Sequence, residues 1–192
     1  MIHPDTELKR RGDTIGLGLF ATAPIPKGTV IWMRDPIDQV RSPAEVAKLP
    51  PALRALYALY SYVDIDGSWV LCWDHGRYIN HACAPSLVGV GTVMEVAQAD
   101  VAPGQELTCE YNFECLVVGF ACACGSPQCR SQRGPESEAV TALRWREAAL
   151  AIWPSVLAVP QPVFEAVGEA GPAAAWVQAW RARGPLAEHL AY

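Results

Sequence analysis

Apolar and polar positions change their period several times along this chain, and each change marks an element. Gly16-Leu17-Gly18-Leu19-Phe20-Ala21 and Val30-Ile31-Trp32-Met33 are dense apolar runs separated by Pro26-Lys27-Gly28. The pattern predicts short strands joined by a turn. Ser42-Pro43-Ala44-Glu45 supplies a cap, a first-turn proline and a Glu at the third helical position. Leu53, Leu56, Tyr57 and Tyr60 follow at helical spacing, and Pro50-Pro51 divides the region into two short helices.

From Tyr60 to Trp73 the period returns to that of strands: Tyr60 and Tyr62, a turn at Asp66-Gly67, then Trp69 to Trp73. Residues 77–91 read as irregular. A strand is predicted over Val88 to Val101, a turn at Pro103-Gly104, and a further strand from Glu106 to Tyr111. Composition then shifts. Gly134-Pro135-Glu136 opens a helix with a stripe at Ala142, Trp145, Ala149 and Ile152 that is predicted to stop at Pro154. A last helix is predicted from Pro172 to Arg183, burying Trp176, Val177 and Trp180. Four of the seven tryptophans fall in this region, at 145, 153, 176 and 180. They read as helices packed on the rest of the protein, with a dimer or partner surface as the alternative.

Length and charge narrow the class. The 192 residues suit one domain with a small appendage, and 51% hydrophobic residues can build a sizeable core. A net charge of -5 disfavours a general nucleic-acid binder. No apolar signal core follows Met1, and the greasiest stretch, Ala148 to Phe164, is broken by three prolines. A cytoplasmic, reducing setting is therefore expected, with no membrane partner. The Ala-rich composition, with Arg outnumbering Lys 12 to 3, reads as that of a GC-rich bacterial genome.

In a reducing setting, tightly spaced cysteines read as metal ligands before disulfides. Cys122, Cys124 and Cys129 place three thiols within eight residues, and Gly125 permits the tight turn of a chelate loop. A structural tetrahedral zinc needs a fourth ligand, and spacing alone leaves Cys72, Cys83, Cys109 and Cys115 open. Two other segments carry side chains suited to chemistry. Gly16-Leu17-Gly18 allows a ligand to approach the backbone closely, but no helix follows it, which argues against a dinucleotide fold. Arg77-Tyr78-Ile79-Asn80-His81-Ala82-Cys83-Ala84-Pro85 gathers hydrogen-bonding side chains in one irregular segment.

Together these motifs resemble the SET-domain protein-lysine methyltransferases, specifically small bacterial members with a post-SET zinc segment. The glycine turn, the Asn80-His81 segment, Glu106-Leu107-Thr108-Cys109-Glu110-Tyr111 and Cys122-Ala123-Cys124-Gly125-Ser126-Pro127-Gln128-Cys129-Arg130 occur in the family's order. The resemblance implies an α+β, mainly β, SET-domain β-clip with a knot-like crossing. It implies a SET domain over residues 5–115, a post-SET zinc segment over 116–133 and a C-terminal helical extension over 134–192. It implies S-adenosylmethionine as methyl donor and a lysine-containing protein (histone, histone-like or ribosomal) as substrate. Gly16, Leu17, Gly18, Leu19, Asn80, His81, Tyr111 and Phe120 would bind the cofactor. Tyr111 would be the active-site tyrosine, with Tyr60, Tyr62 and Phe113 lining a lysine channel. Cys83 would join Cys122, Cys124 and Cys129 on one structural zinc, with Cys115 as second choice. No direct nucleic-acid contact is expected, and the chain would be a monomer or a homodimer through the C-terminal helices.

The chain departs from the family pattern at Ala82, where the family has Ser, and at Ser86, where it has Asn. Glu110 replaces Asp, and Cys109 replaces the Phe or Tyr that helps set how many methyl groups are added. These departures keep a second reading in play: a catalytically inactive SET-like zinc-stabilised module that binds protein.

Overall fold

The computed structural model describes residues 1–111, 120–129, 132–133 and 138–186. Among the described residues, twelve short strands carry most of the fold: β1 (Thr6–Gly12), β2 (Gly16–Ala21), β3 (Val30–Met33), β4 (Gln39–Arg41), β5 (Ser61–Val63), β6 (Trp69–Leu71), β7 (Asn80–His81), β8 (Leu87–Val90), β9 (Met94–Ala97), β10 (Glu106–Cys109), β11 (Phe120–Ala121) and β12 (Gln132–Arg133). The helices are α1 (Pro43–Ala47), α2 (Pro51–Tyr60), α3 (Glu138–Ala158), α4 (Pro162–Val167) and α5 (Ala174–Arg181). The strands form four small sheets, ordered β1-β2-β10-β7, β3-β9-β8, β4-β6-β5 and β11-β12. The expected mainly-β, α+β architecture is borne out.

Local chemistry explains most boundaries. Ser42 caps α1 through the Glu45 amide, and the Glu45 side chain returns to the Ser42 amide, a complete capping box. Pro51 opens α2 at a position where a missing N–H costs nothing. Tyr60, expected in a strand, is the last residue of α2, and the strand begins at Ser61. The run expected as one strand over 88–101 is the β8-β9 hairpin, turning at Gly91. The opening of the third helix, at 134–137, lies outside the described residues.

Pro154 does not stop α3, which runs through it to Ala158. A proline removes the amide that would bond Leu150 O. Leu150 and Pro154 both face solvent, so water can serve that carbonyl, while Ile152, Trp153 and Val156 remain buried on the opposite side. α4 was not apparent in the sequence. α5 starts at Ala174 rather than Pro172, and Trp180 is half-buried beside fully covered Trp176 and Val177.

Two apolar cores result. One is shared between the β3-β9-β8 sheet (Val30, Met33, Val90, Met94, Val96) and the C-terminal helices (Ala149, Trp153, Val156, Phe164, Trp176). Trp153 stacks edge-on against Trp176 at 5.8 Å and donates to Gly184 O at 3.0 Å. The C-terminal helices thus cover one face of a sheet whose other face helps build the site. Gln161, fully buried, fixes this junction: its Oε1 accepts from Val30 N at 2.9 Å, and its Nε2 donates to Gly28 O at 2.8 Å and Val156 O at 2.9 Å. Gln161→Leu leaves those backbone groups unpaired in the interior, at about 1–3 kcal/mol each. A loss of several kcal/mol, and of roughly 10 °C in Tm, is expected. A thermal melt unchanged within experimental scatter would contradict it. Among the described residues no helix is long and apolar enough to cross a membrane.

Candidate active site

The site is built where β10 lies between β2 and β7. β10 pairs antiparallel with β2, Leu107 opposite Leu19, and parallel with β7, Thr108 opposite Asn80 and Cys109 opposite His81. Ala82 N continues the parallel pairing onto Cys109 O at 2.9 Å. The segment leaving β10 therefore runs beside the Asn80-His81 segment, the expected crossing. Tyr111 is held at both ends by it. Its hydroxyl donates to Ile79 O at 2.7 Å, its amide donates to His81 Nδ1 at 3.0 Å, and its ring lies 5.6 Å from the imidazole. Because its proton is committed to Ile79, the Tyr111 oxygen acts as an acceptor toward its other neighbours.

The glycine turn is attached to the same crossing. Asn80 Nδ2 donates to Leu17 O and to Glu106 Oε1, each at 3.0 Å. A Cβ at Gly18 would stand 2.6 Å from Glu106 Oε1 and 3.0 Å from Asn80 Nδ2, so a larger residue must displace the Glu106 carboxylate from its bond with Asn80. Gly16, at φ +83°, has nothing within 4 Å of where its Cβ would stand, which leaves that backbone open to a ligand. Leu19, by contrast, is fully buried in the second core. Glu106 Oε2 accepts from Arg11 Nε at 2.9 Å, and Arg11 Nη2 donates to Cys124 O at 3.1 Å. Arg11 went unnoticed in the sequence, because its partners lie more than ninety residues away and no spacing signals them.

The second core brings Tyr62, Tyr111, Cys109 and Cys72 together. Tyr62 donates to Thr92 O at 2.8 Å and meets Trp32 edge-on at 5.9 Å, and burial holds its phenol well above the ordinary value. Tyr60 is not part of this cluster; its ring packs edge-on against Tyr78 at 5.5 Å. Phe113 and Cys115 lie outside the described residues. Phe120 pairs with Arg133 through the backbone, and its side chain is likewise outside the description.

Among the described cysteines outside the 122–129 segment, Cys83 is the one whose sulfur joins the other three. The sulfurs of Cys83, Cys122, Cys124 and Cys129 all lie within 4.8 Å of one another, with Cys83 and Cys122 3.8 Å apart. Metal–sulfur bonds of about 2.3 Å give a tetrahedron with edges of about 3.8 Å, so the set fits a zinc-type thiolate site. Cys72 and Cys109 are buried elsewhere. Burial, reinforced by the neighbouring thiols, pushes Cys122 up to about 12. For Cys124 burial pulls the same way but is outweighed by hydrogen bonds from Cys83, Ser126 and the adjacent thiols, which hold it down to about 6.

Glu95, on β9, sits behind Cys109, whose thiol hydrogen-bonds its carboxyl. Its Oε2 is buried with no hydrogen-bond partner, and burial raises the group to about 8. The folded protein thus keeps this proton up to about pH 8, while the unfolded chain releases it near 4.5. The associated stability is full below that lower value and is lost as pH rises through about 8. Glu95→Gln is expected to remove this loss. Melting curves of the two proteins should diverge steadily across that window, and parallel curves would exclude the effect.

A short sheet crossing that threads an Asn-His segment past a tyrosine, beside a glycine turn and a four-cysteine cluster, defines a SET-type site. A family model described as SET domain matches residues 16–112, and the chain belongs to that family. It is 28% identical over 141 residues to the histone-lysine N-methyltransferase ash1 of Drosophila melanogaster, which covers 67% of this chain and 6% of that protein. It is 39% identical over 64 residues to the H3 lysine-36 specific histone-lysine N-methyltransferase of Homo sapiens, 29% of this chain and 2% of that one. The chain therefore spans only a small part of these relatives. Among solved structures, KRYPTONITE in complex with mCHG DNA and SAH shares the fold, with a TM-score of 0.51 and 24% identity over 66% of this chain and 28% of that one.

Proposed function

We propose that this chain is an S-adenosylmethionine-dependent protein-lysine N-methyltransferase. The observation that carries the reading is Tyr111, anchored through Ile79 and His81 beside the Asn80-bound glycine turn. When bound, the cofactor supplies an electrophilic sulfonium methyl, and the lysine nitrogen forms its bond to carbon as the carbon–sulfur bond breaks. The protein's contribution is placement and desolvation. Gly16, Leu17 and Gly18, with Asn80 and His81, would hold the cofactor along an open backbone edge. Tyr111 would present its oxygen as acceptor to the amine and the transferring methyl. Tyr62 and its apolar neighbours would line the lysine channel and, by excluding water, favour the neutral amine. Tyr60, packed against Tyr78, would line the mouth of the channel. Phe120 would close over the cofactor.

The four cysteines would carry one structural zinc. The substrate would be a lysine-rich segment of a histone, histone-like or ribosomal protein, favoured by the net charge of -5, so raised salt should weaken it. The setting would be the cytoplasm of a bacterium, with the chain a monomer or a homodimer through its C-terminal helices. The test is incubation with methyl-labelled cofactor, histones and fractionated lysate, followed by mass spectrometry. Label on a lysine supports the reading. Cofactor binding without transfer would identify the inactive protein-binding module instead, and neither binding nor transfer would sink both.

A further inference from the structure

Among the described residues, His81 alone touches both the cysteine cluster and Tyr111 through hydrogen bonds of one side chain. Its Nδ1 accepts the Tyr111 amide at 3.0 Å. A nitrogen that accepts carries no proton, so the neutral ring bears its proton on Nε2. Nε2 lies 3.3 Å from Cys83 Sγ, which aims an N–H at one sulfur of the cluster. The ring is buried, so water does not compete for either contact.

We infer that His81 is a positioning residue that couples metal occupancy of the Cys83–Cys122–Cys124–Cys129 site to the placement of Tyr111. The inference rests on the reading of Tyr111 as the active-site tyrosine and of the cysteines as metal ligands. A metal ligand must be a thiolate, and a thiolate accepts an N–H far better than a thiol does. Loading therefore strengthens the contact from Nε2. The two hydrogen bonds run in series through one ring, so charge drawn toward the sulfur side makes Nδ1 a better acceptor for Tyr111. Removing the metal loosens both. Arg11 offers a separate connection, from Cys124 O through Glu106 to Asn80, which reaches the glycine turn and not Tyr111.

Two substitutions divide the ring's functions. In His81→Asn the amide oxygen overlays Nδ1 and keeps the Tyr111 contact, but the shorter side chain no longer donates to Cys83. In His81→Gln the amide nitrogen overlays Nε2 and keeps the sulfur contact, but the Tyr111 acceptor is lost. The experiment measures amide hydrogen exchange of the full chain, with and without metal, and the resonance of an NMR-active cadmium isotope in the cysteine site. In the unsubstituted protein, metal loading should slow Tyr111 exchange by about tenfold, the size of one hydrogen bond. The Ala97 amide, bonded to Thr29 O within the core, serves as reference and should not move. His81→Asn should make Tyr111 exchange independent of metal and shift the cadmium resonance. His81→Gln should leave the resonance in place and speed Tyr111 exchange even when loaded.

Tyr111 exchange indifferent to metal in the unsubstituted protein, with Ala97 steady, overturns the inference. If stripping the metal also frees Ala97, the loaded variants decide: an unmoved resonance in His81→Asn or an unmoved Tyr111 in His81→Gln overturns it. Methyl transfer is assayed separately. The exchange pattern without any transfer would leave the coupling standing and remove the methyltransferase reading, and transfer without the pattern would do the reverse.

Discussion

Tyr111→Phe is expected to lower methyl transfer by about 10²–10³-fold, the range seen when one preorganised polar group is deleted at a reacting centre. The fold should survive. The ring stays in the second core, and the Tyr111 amide still reaches His81 Nδ1, because that bond belongs to the backbone. What disappears is the hydroxyl and its bond to Ile79 O, worth about 1 kcal/mol. That is a shift of only a few degrees in Tm for a chain of this size. The glycine turn and Asn80 are not touched, so cofactor affinity should be close to that of the unsubstituted protein. The deficit should therefore fall on kcat and not on the binding of either substrate, as for an interaction strengthened in the transition state. Single-turnover rates together with calorimetric cofactor binding check this. Near-normal turnover would remove Tyr111 from the chemistry, and loss of cofactor binding would place its hydroxyl in holding the cofactor and not in the transfer step.

Local patterns carried much of the fold into the sequence. The Ser42–Glu45 box and the Pro50-Pro51 break act within one or two turns, and the structure follows them. Failures cluster where tertiary burial overrides a local signal. Pro154 reads as a helix stop, yet α3 continues because the face beyond it buries Val156 and the freed carbonyl faces water. Tyr60 alternates with Tyr62 like a strand, yet it closes α2. The site divides in the same way. Its backbone crossing was reachable only through the resemblance, because a parallel pairing of β7 with β10 leaves no period in either two- or four-residue strand. Cys83 lies 39 residues from Cys122, beyond any local spacing rule. Arg11 and Glu95 announce themselves by neither motif nor period, since what distinguishes them is which distant groups surround them.

Stripping metal from the four-cysteine site, by a strong chelator or by Cys124→Ser, is expected to release residues 121–129 while the SET core stays folded. None of the described side chains in that segment belongs to either apolar core. Its attachments among the described residues include a two-residue pairing of β11 with β12, the bond from Arg11 to Cys124 O, and the local turn from Ser126 O to Cys129 N. A few partly exposed hydrogen bonds at about 1 kcal/mol each do not offset roughly 1–2 kcal/mol per residue of backbone ordering. A structural zinc binding with about 10–16 kcal/mol does. The core has its own support in the sheets and in the Gln161 junction, and its contacts to the cluster from His81 on β7 and Arg11 on β1 are single hydrogen bonds. Elemental analysis should therefore find about one metal ion per chain, as one tetrahedral site requires. Chelation should open 121–129 to hydrogen exchange and proteolysis and shift the main unfolding transition little. Acidification should do the same, because protons compete with the metal for all four thiolates. A segment equally protected with and without metal would mean that packing, not coordination, holds it in place. In that case the close approach of the four sulfurs would be incidental to the fold.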